Sequence, residues 1–337
     1  MKKLNMKDRN NKKIKGIVIK ILLGIVAAIM VFLIVDICIT EVYSHKIPHH
    51  YASAEEGREL MLSNTEYYAG ITQTDIDHRM GRSGATLDEL LDVTTAEIRD
   101  FNIFEKYILD RRIANMVRKL NRNGYKLPKL DEIVYIKTDM AYEGGAFSGY
   151  THGTQIYLNS TNILFSIIPE AGKYFNQTMW HEMFHCLTRS NPEFRSEMYS
   201  LIGFNVTESD FELPPCVRDL YKSNPDVEHH DSYATFIIDG RPVDCFVVWI
   251  YSDGTVESSS EDISVLVPTD GTDTYYLPEE ASNFYEVFGT NTDYVIDPEE
   301  CMADNFSYAM YYGIEGENGQ GYPNPEIIQG VIDVMSR

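Results

Sequence analysis

The sequence predicts an α+β fold carried behind an N-terminal membrane-spanning helix. Three observations predict it. Residues 17–39 are almost wholly apolar. Residues 54–123 repeat apolar side chains at three- and four-residue spacing, the period of a helix that buries one face. Two later regions, 132–159 and 235–277, carry β-branched runs split by Gly, Asp-Gly and Ser-rich turns, which read as strands.

Taken in order, residues 1–15 form a basic tail, expected in the cytoplasm. Residues 16–39 follow as the anchor. A helix over 17–39 is about 35 Å long at 1.5 Å per residue, enough to span a bilayer if Lys20 snorkels. The basic flank keeps the tail inside and turns the rest of the chain outward. The alternative is a cleaved signal peptide: Val42-Tyr43-Ser44 is a weak cleavage site, and its use would leave a secreted protein. Asp36, two residues before Cys38, argues against a lipoprotein site. Residues 40–54 read as a linker, and residues 55–337 as one extracytoplasmic domain with a core of its own.

That domain is acidic. The chain has 29 Lys and Arg and 51 Asp and Glu; setting aside the eight bases up to Lys20 with Asp8 and Asp36 leaves 21 against 49. Such a surface repels nucleic acid and anionic lipid, and nucleic acid is excluded as a partner. Within the domain, 87–91 and 98–120 are helix candidates, with Asn123-Gly124 as a stop. Segments 132–138, 146–151 and 155–159 are strand candidates, as are 235–238, 243–251, 263–267 and 274–277. The last four are read as a β-rich insertion within 190–297 that overhangs a cleft. A closing amphipathic helix is expected over 326–336.

The chemistry is concentrated in His181-Glu182-Met183-Phe184-His185. On a helix, positions i and i+4 share a face, so two imidazoles can converge on one zinc ion, with the carboxylate at i+1 beside it as general base. Trp180, Phe184 and Leu187 give that helix an apolar side, and Asn191-Pro192 stops it. A third ligand is sought 115 residues after His185. There Asp297-Pro298-Glu299-Glu300 has the N-cap, the proline and the first-turn acids of a helix start. Glu300 is the candidate ligand. Asp304, one turn on, can accept the free ring N–H of a ligand histidine. Glu299 is the rival, set aside because Ala303 follows it at i+4.

The pair of motifs resembles the gluzincin metallopeptidases. The second motif (Glu300, Ala303, Asp304, Phe306) is most similar to their lethal-factor-like branch. The resemblance implies a zincin-like fold, a small mixed sheet with active-site helices, and a zinc metallopeptidase acting on peptide or protein substrates, an endopeptidase rather than an exopeptidase. It implies His181, His185 and Glu300 as zinc ligands, Glu182 as base and Asp304 as an outer partner. In that branch a tyrosine seven residues before the glutamate donates to the oxyanion. Here that position is Asp293, and Tyr294, six before, is the candidate. An edge strand that pairs with extended substrate is also implied, assigned here to 153–159.

Other residues read more plainly. His152, His229 and His230 are taken as turn or loop residues, with one of the latter two a possible oxyanion donor. Cys186, Cys216, Cys245 and Cys301 lack Cys-x-x-Cys spacing; a Cys186–Cys301 or Cys216–Cys245 disulfide and free buried thiols both stay open. Two competing readings remain: a non-catalytic surface binding protein on the same fold, and a structural module with an accidental motif.

Overall fold

The structure is a computed structural model, described for residues 2–143, 149–256 and 262–337. In chain order its elements are α1 (Lys2–Ser44), β1 (His49–Tyr51), α2 (Ala54–Ser63), α3 (Thr65–Gly70), α4 (Gln73–Met80), α5 (Leu87–Ala96) and α6 (Ile103–Asn123). Next come β2 (Ile133–Thr138), β3 (Gly149–His152), β4 (Gln155–Asn159), α7 (Ser160–Phe165), α8 (Pro169–Ser190) and α9 (Pro192–Ser200). Then follow β5 (Asn205–Val206), α10 (Pro215–Arg218), β6 (Ser232–Ile238), β7 (Arg241–Tyr251), β8 (Asp262–Pro268), α11 (Phe284–Phe288), α12 (Pro298–Tyr311) and α13 (Pro325–Met335). The class is the α+β one expected.

α1 is long and apolar enough to cross a membrane, with a mean hydropathy of 3.1 in its best window and none of that window buried in the protein. It serves either as an anchor or as a signal sequence on that ground alone. The expected linker at 40–54 is structured. Thr40 and Ser44 are buried in the last turns of α1, which pack on α6, and β1 joins the first sheet.

That sheet has the order β1-β2-β4-β3. β1, β2 and β4 are parallel neighbours, and β3 runs antiparallel to β4. The edges are therefore β1 and β3. Segment 153–159, expected to be the edge, instead holds the interior strand β4, whose Ile156, Tyr157 and Leu158 are fully buried. Strands covered on both faces read as such unbroken apolar runs. Residues 146–148 of the expected strand 146–151 lie outside the described residues; 149–151 belong to β3.

The second sheet, β5-β6-β7-β8, is the β-rich region expected between the two motifs. Segment 274–277 adds only a bridge between Leu266 and Tyr276. α6 begins at Ile103 rather than 98, because Asn102 caps it: its side chain accepts the Phe104 and Glu105 amides while Glu105 returns to the Asn102 amide. Gly124, at φ 72°, ends it in the left-handed conformation. α8 does end at Ser190, but Pro192 immediately opens α9, a position that proline suits.

The core that fixes the site lies between α8 and α12. Trp180, Phe184, Phe194 and Phe306 form an aromatic cluster, Phe184 and Phe306 with ring centroids 5.3 Å apart. Each such pair adds about 0.5–1.5 kcal/mol beyond area burial. Ala303, fully buried, lets the helices approach closely.

A buried ion network ties α4 to the far wall of the cleft. Arg79 donates to Asp75 at 2.9 Å, to Glu143, to the Tyr67 hydroxyl at 3.0 Å and to the Ser223 carbonyl at 2.9 Å. Arg79→Met strands two buried carboxylates and is expected to cost about 3–5 kcal/mol. Chemical denaturation checks this, through a lower midpoint at unchanged slope.

Candidate metal centre

α8 and α12 bring the predicted ligands together. His181 and His185 lie one turn apart on α8 and face the first turn of α12, where Asp297 caps the helix by accepting the Glu299 amide at 2.8 Å. His181 Nε2 is 3.0 Å from Glu300 Oε2, and His185 Nε2 is 3.7 Å from the same oxygen. One donor atom from each of the three lies within 4.8 Å of the other two, a group that can hold a metal ion. His185 Nε2 is buried without a hydrogen-bond partner and points at the shared centre. An unpaired buried nitrogen is costly unless something binds it, so the donor set fits a cation.

Each imidazole is held from behind by a carboxylate. His181 Nδ1 lies 2.9 Å from Asp304 Oδ1, as the i+4 spacing from Glu300 suggested. Asp304 is itself steadied by the Thr292 hydroxyl at 2.5 Å. His185 Nδ1 lies 2.9 Å from Glu299 Oε1, which also accepts from Thr188 at 2.6 Å, while the Tyr199 hydroxyl donates to Oε2 at 2.5 Å. These contacts leave both Nε2 atoms turned to the centre. Glu299 is thus an outer partner of His185, a role the sequence reading did not give it.

The charges follow the contacts. Burial alone would push Glu300 up, but the hydrogen bond from His181 and the two neighbouring imidazoles bring it down to about 2. Burial likewise opposes charge on His181, yet Asp304 and Glu300 together hold its pKa well above the usual histidine range. A cation arriving between His181 and Glu300 takes the place of the proton they share.

Glu182 is buried beside the centre. Its Oε2 accepts from the Thr151 hydroxyl of β3 at 2.7 Å. Burial pushes its carboxyl up, against the pull of His181 and His185. The backbone of Gly149, also on β3, lies against the same side chain. A Cβ there would stand 2.8 Å from Glu182 Oε1 and 3.0 Å from Cγ and Cδ. Gly149→Ala is expected to keep the metal and lower any activity that needs Glu182 by about 100-fold, the cost of an ångström's misplacement. Metal content measured alongside turnover separates the two effects.

The segment after Tyr221 closes one side. Asn224 donates from Nδ2 to Glu300 Oε1. Asp226 accepts the Thr151 amide at 2.6 Å and lies 3.8 Å from His185 Nε2. Glu228 accepts the Gly153 amide at 2.7 Å and pairs with Arg189. Asp226, Glu182 and His185 make a second group of possible ligands that shares one histidine with the first. Asn224 and Asp226, with His181, Glu182 and Glu300, line a cavity of about 700 Å³, which also takes in Tyr174, Trp249 and Tyr294.

Tyr294 reaches the centre despite its shifted position: its hydroxyl is 3.3 Å from Glu300 Oε1, and its ring lies beside His181. His152 is not a turn residue. It is buried in β3 among the rings of Tyr67, Tyr150 and Tyr157, and burial pushes its pKa down to about 3. His229, paired with Asp210, and His230 stand outside the cavity lining. Cys186, Cys216, Cys245 and Cys301 are all free thiols.

Gly149, Thr151, Asn224, Asp226 and Glu299 were missed from sequence. Only Glu299 carried a signal: two imidazoles one turn apart call for two outer acids, and Glu299-Glu300 offers two at one helix start. Compared with family models, curated proteins and solved structures, the chain matches none of them.

Proposed function

We propose that this chain is a zinc metallopeptidase of gluzincin type, held in a membrane by α1 with its catalytic domain outside the cytoplasm. The observation that carries the reading is the convergence of His181, His185 and Glu300 beside a buried Glu182. Two imidazoles and one carboxylate are the ligand set of catalytic zinc, which keeps a further position open. When bound, zinc supplies a Lewis acid for a peptide carbonyl and makes water acidic enough to lose a proton near neutral pH. Glu182 receives that proton at Oε1, the oxygen that Thr151 leaves free, and passes it to the leaving amine. Tyr294 turns its hydroxyl from Glu300 to the carbonyl oxygen as negative charge builds there. An extended peptide lies along β3 and takes over the amides of Thr151 and Gly153.

The anchor reading has its own support. The segment that cleavage at Ser44 would remove carries Asp36, bonded to Tyr107 of α6, and Thr40, which is buried.

One observation favours a second reading, a surface binding protein without turnover: Asp226 and Glu228 already hold the amides that a substrate strand needs. The deciding experiment is cleavage of a peptide library by the purified chain, before and after chelation and again after zinc is restored. The proposal expects internal cleavages that chelator abolishes and zinc restores. No cleavage by a chain containing one equivalent of zinc overturns it in favour of the binder.

A further inference from the structure

Among the described residues of this domain, most of the exposed large apolar side chains fall in two short segments. Outside α1, six of the ten exposed among the described residues are Ile103, Phe104, Leu164, Phe165, Ile167 and Ile168. Ile103 is 87% and Ile167 63% exposed. The first two open α6, and the rest form the turn from α7 into α8.

α6 brings these groups to the point where α1 leaves the domain. Phe104, Tyr107 and Arg111 share one face at spacings of three and four. Asp36 of α1 accepts from the Tyr107 hydroxyl at 2.5 Å and pairs with Arg111 at 3.2 Å. The next residue, Arg112, donates to the carbonyls of Ser166 and Gly172 and to Asn176, which draws the α7–α8 turn onto the same helix. Both apolar groups therefore sit on segments that α6 ties to the region of Asp36, and α1 exposes apolar side chains up to Val35 and again at Ile37, Ile39 and Val42.

Charge points the same way. On a domain with more than twice as many acids as bases, α6 carries Lys106, Arg111, Arg112, Arg118, Lys119 and Arg122 against Glu105 and Asp110. Glu105 is held by buried Lys137, and among the bases Arg111 is held by Asp36, Arg112 by the Ser166 and Gly172 carbonyls and Lys119 by the Tyr311 carbonyl. A basic helix with apolar tips suits a lipid headgroup layer, where bases meet phosphates and the tips enter the acyl boundary.

We infer that this face, the start of α6 with the α7–α8 turn, docks on the bilayer that α1 crosses. The inference rests on the anchor reading above and adds that the domain lies down on the lipid instead of standing clear of it. α8 starts in the docked turn and reaches His181 thirteen residues after Ile168, roughly 20 Å along its axis. The centre is then within reach of polypeptide segments that have just left the same membrane.

The test uses the full chain in phosphatidylcholine vesicles, with and without lipids brominated on the acyl chains, which quench nearby tryptophan. Four single variants are compared with the parent, whose Trp180 and Trp249 signal is subtracted: Phe32→Trp in α1, Ile103→Trp and Phe165→Trp in the docking face, and Tyr285→Trp on exposed α11 as the distant reference. The expected result is at least a twofold loss of the added emission at positions 32, 103 and 165, and none at 285. Quenching at 32, with 103 and 165 no more quenched than 285, overturns the docking and leaves the anchor standing. No quenching at 32 removes the anchor reading and the docking with it.

Discussion

On the proposed reading, Glu182→Gln is expected to leave a protein that takes up zinc normally and cleaves peptides roughly 10²- to 10⁴-fold more slowly, the range a general base supplies. The substitution keeps the shape of the side chain. The amide oxygen still accepts from Thr151, so the 2.7 Å contact survives and Gly149 still fits against the chain. None of the three proposed ligands changes. What is lost is the capacity to accept a proton. Metal analysis paired with cleavage rates makes the check; full activity in the variant, with a contaminating peptidase excluded by chelator-matched controls, removes Glu182 from the mechanism.

Glu300→Ala has the second large effect and reads out on metal. Two imidazoles remain, and the oxygen that lies within 3.7 Å of both Nε2 atoms is gone. Loss of an outer hydrogen bond to a ligand costs 10- to 100-fold in metal affinity, and loss of the ligand itself exceeds that. Stability provides an independent measure. On the proposed reading, zinc at a thousand times its Kd is expected to stabilise the wild-type chain by about 4 kcal/mol through mass action, with little gain for the variant at the same concentration. Thermal melts with and without zinc show the difference. A variant that still binds one equivalent with wild-type affinity assigns the third ligand elsewhere, with Asp226 next in reach of His185.

The parts of the site that were legible are those written in helical spacing. His181 and His185 at i and i+4, and Glu300 with Asp304 at i and i+4 behind an Asp-Pro cap, specify two faces before any tertiary fold is known. The two helices then meet across 119 positions, His181 to Glu300, as the pattern required. The residues that were not legible come from strands and turns. Thr151 reaches Glu182 from a four-residue strand whose partner order no local pattern encodes, and Asp226 reaches Thr151 across 75 positions. The edge assignment failed for a related reason: β3 and β4 are both short, and only their pairing decides which is outermost. The continuous burial of Ile156, Tyr157 and Leu158 was the available clue. Glu299 was set aside by testing it against Ala303 on its own helix, when its partner was His185 on the other.

The absence of slack between α1 and the domain has a mechanical consequence. β1 starts five residues after Ser44, β1 is bonded to β2, β2 to β4 and β4 to β3, and β3 holds Glu182 through Thr151. A torque on α1 would therefore pass along these strand pairings to the Thr151 hydroxyl. On the anchored reading proposed above, stretching or thickening of the bilayer would be felt at the contact between Thr151 and Glu182, with no messenger between them.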